Sequence, residues 1–487
     1  MPANTIFARR PAAADLPALD QMDQSMTSTV RRCRHRSSVF ARSTVALAVV
    51  AGLGALGLSG AAAAQDTIPT EPPQSEAMVL RGGTIHPVSG PVIEGGVLIT
   101  ENGRITWVGP AADAPASPAG AVELDATGLI IAPGFVGANT IMGLMEISSV
   151  QATMDQDEVG AITPEARAIV AVNPDSTLIP VTRTAGVLTT LTMPVGGLVP
   201  GRAAVLRMEG WTWEDMAMEA DAGLAINWPN LAPITAWWMR QSPEEQLKQT
   251  AENLREIELL FDAADAYSAA RAADPETPED TRYEAMLPAM RGETPVFVRA
   301  NEVDQIRSAV RFISDRGLRG VIVGGADAEM CADMLQRHGV SVIVTGTHRL
   351  PGQRHAAYDR AYTLPQRLEA AGVTWCLGTV GGSFETPHER NLPFHAATAV
   401  AHGLDPDVAL RSITQSAAEI IGVGDEVGSL AVGKAATFSV FDGNPLEITT
   451  QVVGIWIDGR PLPLDDKQRQ LDRKYREKYR QLGIIAP

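Results

Sequence analysis

Between residues 131 and 425, short apolar runs alternate with segments of helical period, and few folds accommodate that pattern. The apolar runs are Leu129–Ile131, Gly186–Thr192, Pro295–Val298, Gly320–Val323, Ser341–Val344 and Val373–Leu377. The helical patterns include Pro243–Tyr267, Glu302–Arg316, Ala328–His338, Leu364–Ala371 and Pro406–Ile420. A strand followed by a helix returns the chain in the same direction, so the alternation predicts a parallel sheet. At this length an α/β fold closed as a (β/α)8 TIM-type barrel is favoured over an open doubly wound sheet. No Gly-x-Gly-x-x-Gly opens a helix in this region, which weakens a nucleotide-binding reading. The one match, Gly52–Gly57, lies in an apolar run near the start of the sequence. Residues 241–285, rich in Glu, Ala and Arg, are expected as a helical insertion on the outside.

Both flanks of this middle read as β structure. Met78–Leu80, Val97–Thr100, Arg104–Val108 and Val122–Asp125 are short strand candidates, with Asn102-Gly103 between two of them as a hairpin cue. Ala436–Phe441 and Gln451–Ile457 continue the pattern after the barrel. Residues 78–130 and 426–465 are therefore expected to assemble one small β-sandwich from both ends of the chain. Residues 466–487 alternate charges of both signs and read as a solvated terminal helix.

The first 64 residues read as a leader. Arg31, Arg32, Arg34, Arg36 and Arg42 precede the apolar run Thr44–Leu58 and the small-residue stretch Ala61–Ala64. That order matches a secretory signal peptide cleaved near Ala64, and the run falls short of the ~20 apolar residues of a membrane span. The expected product is an exported, periplasmic chain with no membrane association after cleavage, preceded by a linker at 65–77. Met26 is an alternative start to Met1. Cys33 leaves with the leader, and Cys331 and Cys376 read as buried free thiols. The formal charge of −17 (57 Asp and Glu against 40 Lys and Arg) argues against a nucleic-acid partner.

The sequence between the two halves of the chain carries a resemblance. Ala132-Pro133-Gly134-Phe135-Val136 stands at the entry to the barrel. Ala418-Glu-Ile-Ile-Gly-Val, Gly428-Ser-Leu-Ala-Val-Gly-Lys434 and Val452-Val-Gly-Ile-Trp-Ile-Asp-Gly459 mark its exit. Over about residues 78–462 the chain resembles the amidohydrolase superfamily, its imidazolonepropionase-like branch in particular. The resemblance implies hydrolysis of C–N bonds in amides, peptides or cyclic amides by one or two divalent metals. It implies a His-x-His pair after strand 1, one His after each of strands 5 and 6, and an Asp after strand 8. Such a metal acidifies a bound water and polarises the substrate carbonyl.

Each of those positions departs from the pattern. Asn139 and Ile141 stand in place of the first two imidazoles, Arg299 and Gly324 in place of the next two, and Val380 in place of the Asp. Ile and Val carry no lone pair, Gly has no side chain, and Arg is a permanent cation. One amide oxygen cannot hold zinc, which takes about four N, S or O donors. No metal cofactor is expected on this reading, and no catalytic residue is assigned.

An alternative places a rebuilt divalent-metal (zinc-like) site near His348, His388 and His395, or acid–base chemistry at Glu146 and the acids Asp155, Asp157 and Glu158. Loop histidines satisfied by hydrogen bonds and a solvated acidic loop are the plainer readings of the same residues. Arg183, Arg202 and Arg299 are candidates to place cations at the barrel mouth for a carboxylate ligand, or to form structural ion pairs. Trp211, Trp213, Trp228, Trp237 and Trp238 read as packing residues. Together these features predict an exported non-hydrolytic binder, or a partner of an intact paralogue or of its own copies. The rival is an active hydrolase with a relocated site.

Overall fold

The computed structural model describes residues 68–352 and 356–485. The leader, the cleavage position near Ala64, Met26 and His355 lie outside the described residues. Five strands come first: β1 (Met78–Ile85), β2 (Ile93–Glu101), β3 (Arg104–Pro110), β4 (Val122–Asp125) and β5 (Ile130–Pro133). Eight more follow: β6 (Phe135–Thr140), β7 (Val187–Thr192), β8 (Gly201–Arg207), β9 (Ala217–Asn227), β10 (Val296–Ala300), β11 (Gly320–Gly324), β12 (Ser341–Thr345) and β13 (Trp375–Gly378). The chain then returns with β14 (Phe438–Phe441), β15 (Val452–Ile457) and β16 (Arg460–Leu462).

The terminal strands pair in the order β16-β15-β14-β5-β1-β2-β3, with β4 also on β1. Pairing links them in one sheet of eight strands, β1 meeting β4 along its first half and β5 along its second. Asn102 and Gly103 both take positive φ (51° and 78°), the backbone a tight two-residue hairpin requires, and β2 pairs antiparallel with β3. Phe438 stacks on Trp456 with ring centroids 4.8 Å apart.

Strands β6 to β13 form the second sheet in chain order. Most neighbours are parallel, but β8 runs antiparallel to both β7 and β9. Residues 193–200 and 208–216 connect these strands, and neither stretch is long enough for a parallel crossover, which takes a dozen residues or more. This part of the barrel therefore departs from the (β/α)8 repeat. Leu129–Ile131, expected as a barrel strand, belongs instead to β5 of the terminal sheet.

Alternating side chains line the lumen. Val136, Ala138, Leu191, Ala203, Val205, Phe297, Val321, Val323, Ile343 and Cys376 pack in one apolar cluster with Ala417, Ala418, Ile420 and Ile421. The last four plug the N-terminal end of the strands, where the Val136 N–H donates to the Ile413 carbonyl at 2.8 Å. Residues of the opposite parity (Val296, Val298, Ala300, Ile322, Val342, Val344) pack outward against the covering helices. The helix Pro243–Ala273, opened by a Ser242–Glu245 capping box, is one of these covers. Its Ile257, Phe261 and Ala264 are buried in the outer cluster, so this part of segment 241–285 is not a mere external insertion. Trp228 is buried against Phe312, whereas Trp211, Trp237 and Trp238 are exposed, contrary to the packing expected of them. Cys331 and Cys376 are buried and free.

The barrel closes between β6 and β13 through side chains. Asn139 Nδ2 donates to the Thr379 carbonyl at 2.9 Å, and Thr379 Oγ1 donates to the Asn139 carbonyl at 3.2 Å. Thr379 Oγ1 also contacts the carboxyl of Glu389, which is fully buried behind the seam. A register shift between Gly137 and Thr140 marks a bulge in β6 at this point. Gly137 is the residue against which the Glu389 carboxyl rests, and a Cβ there would collide with Oε1. Gly137→Ala is therefore expected to lower stability by about 1–3 kcal/mol, as overpacking does. Urea unfolding checks this, and adding Glu389→Ala to the same chain should return part of the loss attributable to the collision.

Candidate functional site

In a barrel of this kind, chemistry belongs to the C-terminal ends of the strands. At the end of β6, Asn139 is buried by the seam, with its Oδ1 lacking a hydrogen-bond partner. Ile141, just beyond, is fully buried in an apolar cluster with Met142, Leu144 and Met145. Val380 follows β13 and is 51% exposed. Gly324 ends β11 with φ +118°, a conformation that side-chain-bearing residues rarely adopt. A Cβ built there would lie 2.6 Å from Asn301 Oδ1 and 2.8 Å from the Ala300 carbonyl oxygen.

Arg299 differs from these four in bringing a charge. Its neighbours Val298 and Ala300 face the outer cluster and Phe297 faces the lumen, so alternation along β10 points Arg299 into the barrel. It stands level with Asn227 on β9 and Val323 on β11. Its Nη1 donates to Asn227 Oδ1 at 2.9 Å. Asn227 Nδ2 in turn donates to the carbonyls of Gly196 and Gly197, both at 2.9 Å, fixing the loop after β7. Among the described residues no carboxylate pairs with Arg299. Burial pushes its pKa down to about 10, so it remains a cation at neutral pH.

The two other arginines expected at the mouth are committed elsewhere. Arg183 is buried, pairs with the buried Glu209 and donates to the Met208 carbonyl at 3.1 Å. Arg202 pairs with Asp221 at 3.1 Å and donates to the Glu165 carbonyl at 3.1 Å, and Asp221 also takes Arg167. Both are structural ion pairs. Their acidic partners lie on other segments of the chain, which is why the spacing of the arginines alone does not reveal the pairing.

The residues of the alternative site divide into two groups. His348 and His395 meet, with ring centroids 4.1 Å apart. His395 Nδ1 accepts the backbone N–H groups of Thr347 (3.1 Å) and His348 (3.3 Å), and His348 Nε2 bonds Thr398 Oγ1 at 2.7 Å. Burial, reinforced by neighbouring His348, pushes His395 down to about 4, so its ring is neutral at physiological pH. His388 lies with Glu146 along a separate cleft of about 730 Å³ that also has Asp155, Asp175, Arg390 and Lys467 on its walls. Glu146 accepts from Ser176 Oγ at 2.6 Å, from the Thr177 N–H at 3.1 Å and from Thr177 Oγ1, and so ties down the entry to the helix Leu178–Arg183. These contacts give Glu146 a helix-start anchoring role.

The comparisons with known proteins fit this frame. The model of the amidohydrolase family matches residues 205–463, more than half of the chain. The chain belongs to the amidohydrolase family. It is 23% identical over 396 residues to the amidohydrolase tasK of Hapsidospora irregularis, covering 75% of this chain and 39% of that protein. It is 28% identical over 204 residues to an imidazolonepropionase of Maricaulis maris, covering 42% of this chain and 47% of that protein. The chain thus spans less than half the length of these two relatives. The match to an imidazolonepropionase of Paracoccus denitrificans, 26% identical over 407 residues, covers 74% of this chain and 91% of that one. In fold, the chain is similar to a crystal structure of an amidohydrolase from Thermotoga maritima, with a TM-score of 0.68 at 22% identity over 79% of this chain.

The divalent metal that this family implies does not fit the strand ends of this amidohydrolase. The five positions that the resemblance assigns to it hold an amide, an isoleucine, a guanidinium, a glycine and a valine. Among the described residues no group of three or more His, Cys, Asp or Glu side chains stands close enough to hold a metal ion. No helix among them is long and apolar enough to cross a membrane.

Glu389, not singled out as a site residue from the sequence, is the most perturbed carboxyl near these strand ends. Burial pushes it up to about 8, and the Thr379 hydroxyl only partly opposes that. The folded protein therefore holds a proton at Glu389 that the unfolded chain releases at about 4.5. This contribution to stability is complete below pH 4.5 and is lost as pH rises towards 8. Glu389→Gln should flatten that slope, its advantage over wild type growing between pH 5 and pH 9. Denaturant titrations across that range measure it, and parallel curves for the two proteins would reject it.

Proposed function

We propose that this chain is a non-hydrolytic member of the amidohydrolase family that binds a ligand at the barrel mouth. The reading rests on the strand-5 position: a guanidinium directed into the lumen repels the cation the chemistry needs. The other four positions support the same reading, since a lone Asn amide is the only neutral donor left among them. In this proposal the mature chain is exported to the periplasm and associates with its own copies or with an intact paralogue.

The rival, a working hydrolase rebuilt on His348, His388 and His395, draws on the contact between His348 and His395. Against it, hydrogen bonds already occupy His395 Nδ1 and His348 Nε2, and His388 lines a different cleft.

Metal analysis of protein purified without added metal separates the two. The expected result is far less than one equivalent of zinc, iron, manganese or nickel per chain. One firmly held equivalent, lost in His348→Ala or His395→Ala, would establish the rival. Substituting Asn139→His, Ile141→His, Arg299→His and Val380→Asp together should create measurable zinc affinity where none existed. Gly324 is left unchanged, because its positive φ resists a side chain.

A further inference from the structure

We infer that Arg299 is the anchor for the carboxylate of a small organic acid. The inference rests on the non-hydrolytic reading and names the ligand class of the same site. Asn227 engages a single guanidinium N–H, out of five donors that a guanidinium carries. Unlike Arg183 and Arg202, which have acidic partners, Arg299 has no paired carboxylate among the described residues. A cation held in a lumen without a counter-charge is costly, and a ligand anion removes that cost.

The surroundings specify the rest of the ligand. The N-terminal end of the lumen is plugged, and Arg299 is partly exposed, so the mouth is the way in. The planar fork of Arg299 matches a carboxylate edge-on through two parallel N–H···O bonds. Arg299 brings one positive charge, which suits a monoanion better than a multiply charged phosphate. Asn227 holds the guanidinium from one side while securing the Gly196-Gly197 loop, so the donor is positioned before the ligand arrives.

The test uses the full chain with butyrate, hexanoate and benzoate as probes, and the corresponding amides and inorganic phosphate as controls. The carboxylates should raise the melting temperature of wild type in a concentration-dependent way, and the amides and phosphate should not. Arg299→Gln should weaken carboxylate binding at least tenfold. Arg299→Met, which removes the unpaired charge, should melt at or above the ligand-free wild type. Should both variants fail to fold, the Nε–H resonance of Arg299 in ¹⁵N-arginine-labelled wild type decides, because it should shift on adding benzoate and not benzamide.

Carboxylates that leave wild-type melting and this resonance unchanged would overturn the inference, as would Arg299→Gln binding them equally well. Metal content measured on the same preparation separates the two proposals. Metal-free protein indifferent to carboxylates defeats this inference alone. Metal-loaded protein that still binds them through Arg299 defeats the non-hydrolytic reading alone.

Discussion

A sheet rolled into a barrel is only as closed as its last junction, and here that junction is between β6 and β13. Asn139 and Thr379 join the two strands by reciprocal hydrogen bonds between side chain and backbone. The buried Glu389 carboxyl braces the join from behind, in space that Gly137 leaves open. The arrangement sets the purpose of Asn139. At the position where the family places an imidazole, this residue spends its amide donor on holding the barrel together. The residue that the sequence pattern assigns to metal chemistry is thus occupied by architecture.

Charge around the barrel sorts into two kinds. Arg183 with Glu209, and Arg202 with Asp221, are internally compensated, and each ties separate segments of backbone together. Removing either partner would strand the other, so these pairs serve the fold. Arg299 has a neutral amide for company and retains its charge. On the proposed reading, the carboxylate of a ligand supplies the balance. Glu389 shows the opposite solution, since burial keeps it protonated and therefore neutral at pH 7.

Much of the barrel was legible in the sequence because its later strands are short apolar runs flanked by strongly periodic helices. Val296–Ala300, Gly320–Gly324, Ser341–Thr345 and Trp375–Gly378 lie within a few residues of the expected runs. Strands β8 and β9 were not legible. They carry Arg202, Arg207, Glu219 and Asp221 among their apolar residues, and only the single helical turn Trp213–Met216 lies between them, too short to set a period. The short connectors around β8 were the available signal, since their length alone forces an antiparallel strand. The candidate site was legible as a set of residue types at strand ends. The grouping of its members was not, because the partners of Arg183 and Arg202, the separation of His388 from His395 and the tie between Glu146 and Ser176 are tertiary facts.

The backbone of Gly324 gives the missing donor at strand 6 a different character from the other four. At Asn139, Ile141, Arg299 and Val380 the departure from the pattern that the resemblance implies lies in the side chain. At Gly324 the main chain itself has turned, closing over Asn301 and the Ala300 carbonyl. A histidine there would need the peptide to swing back and its neighbours to repack at the same time. A single side chain placed at this position therefore meets a backbone cost that the other four positions do not impose.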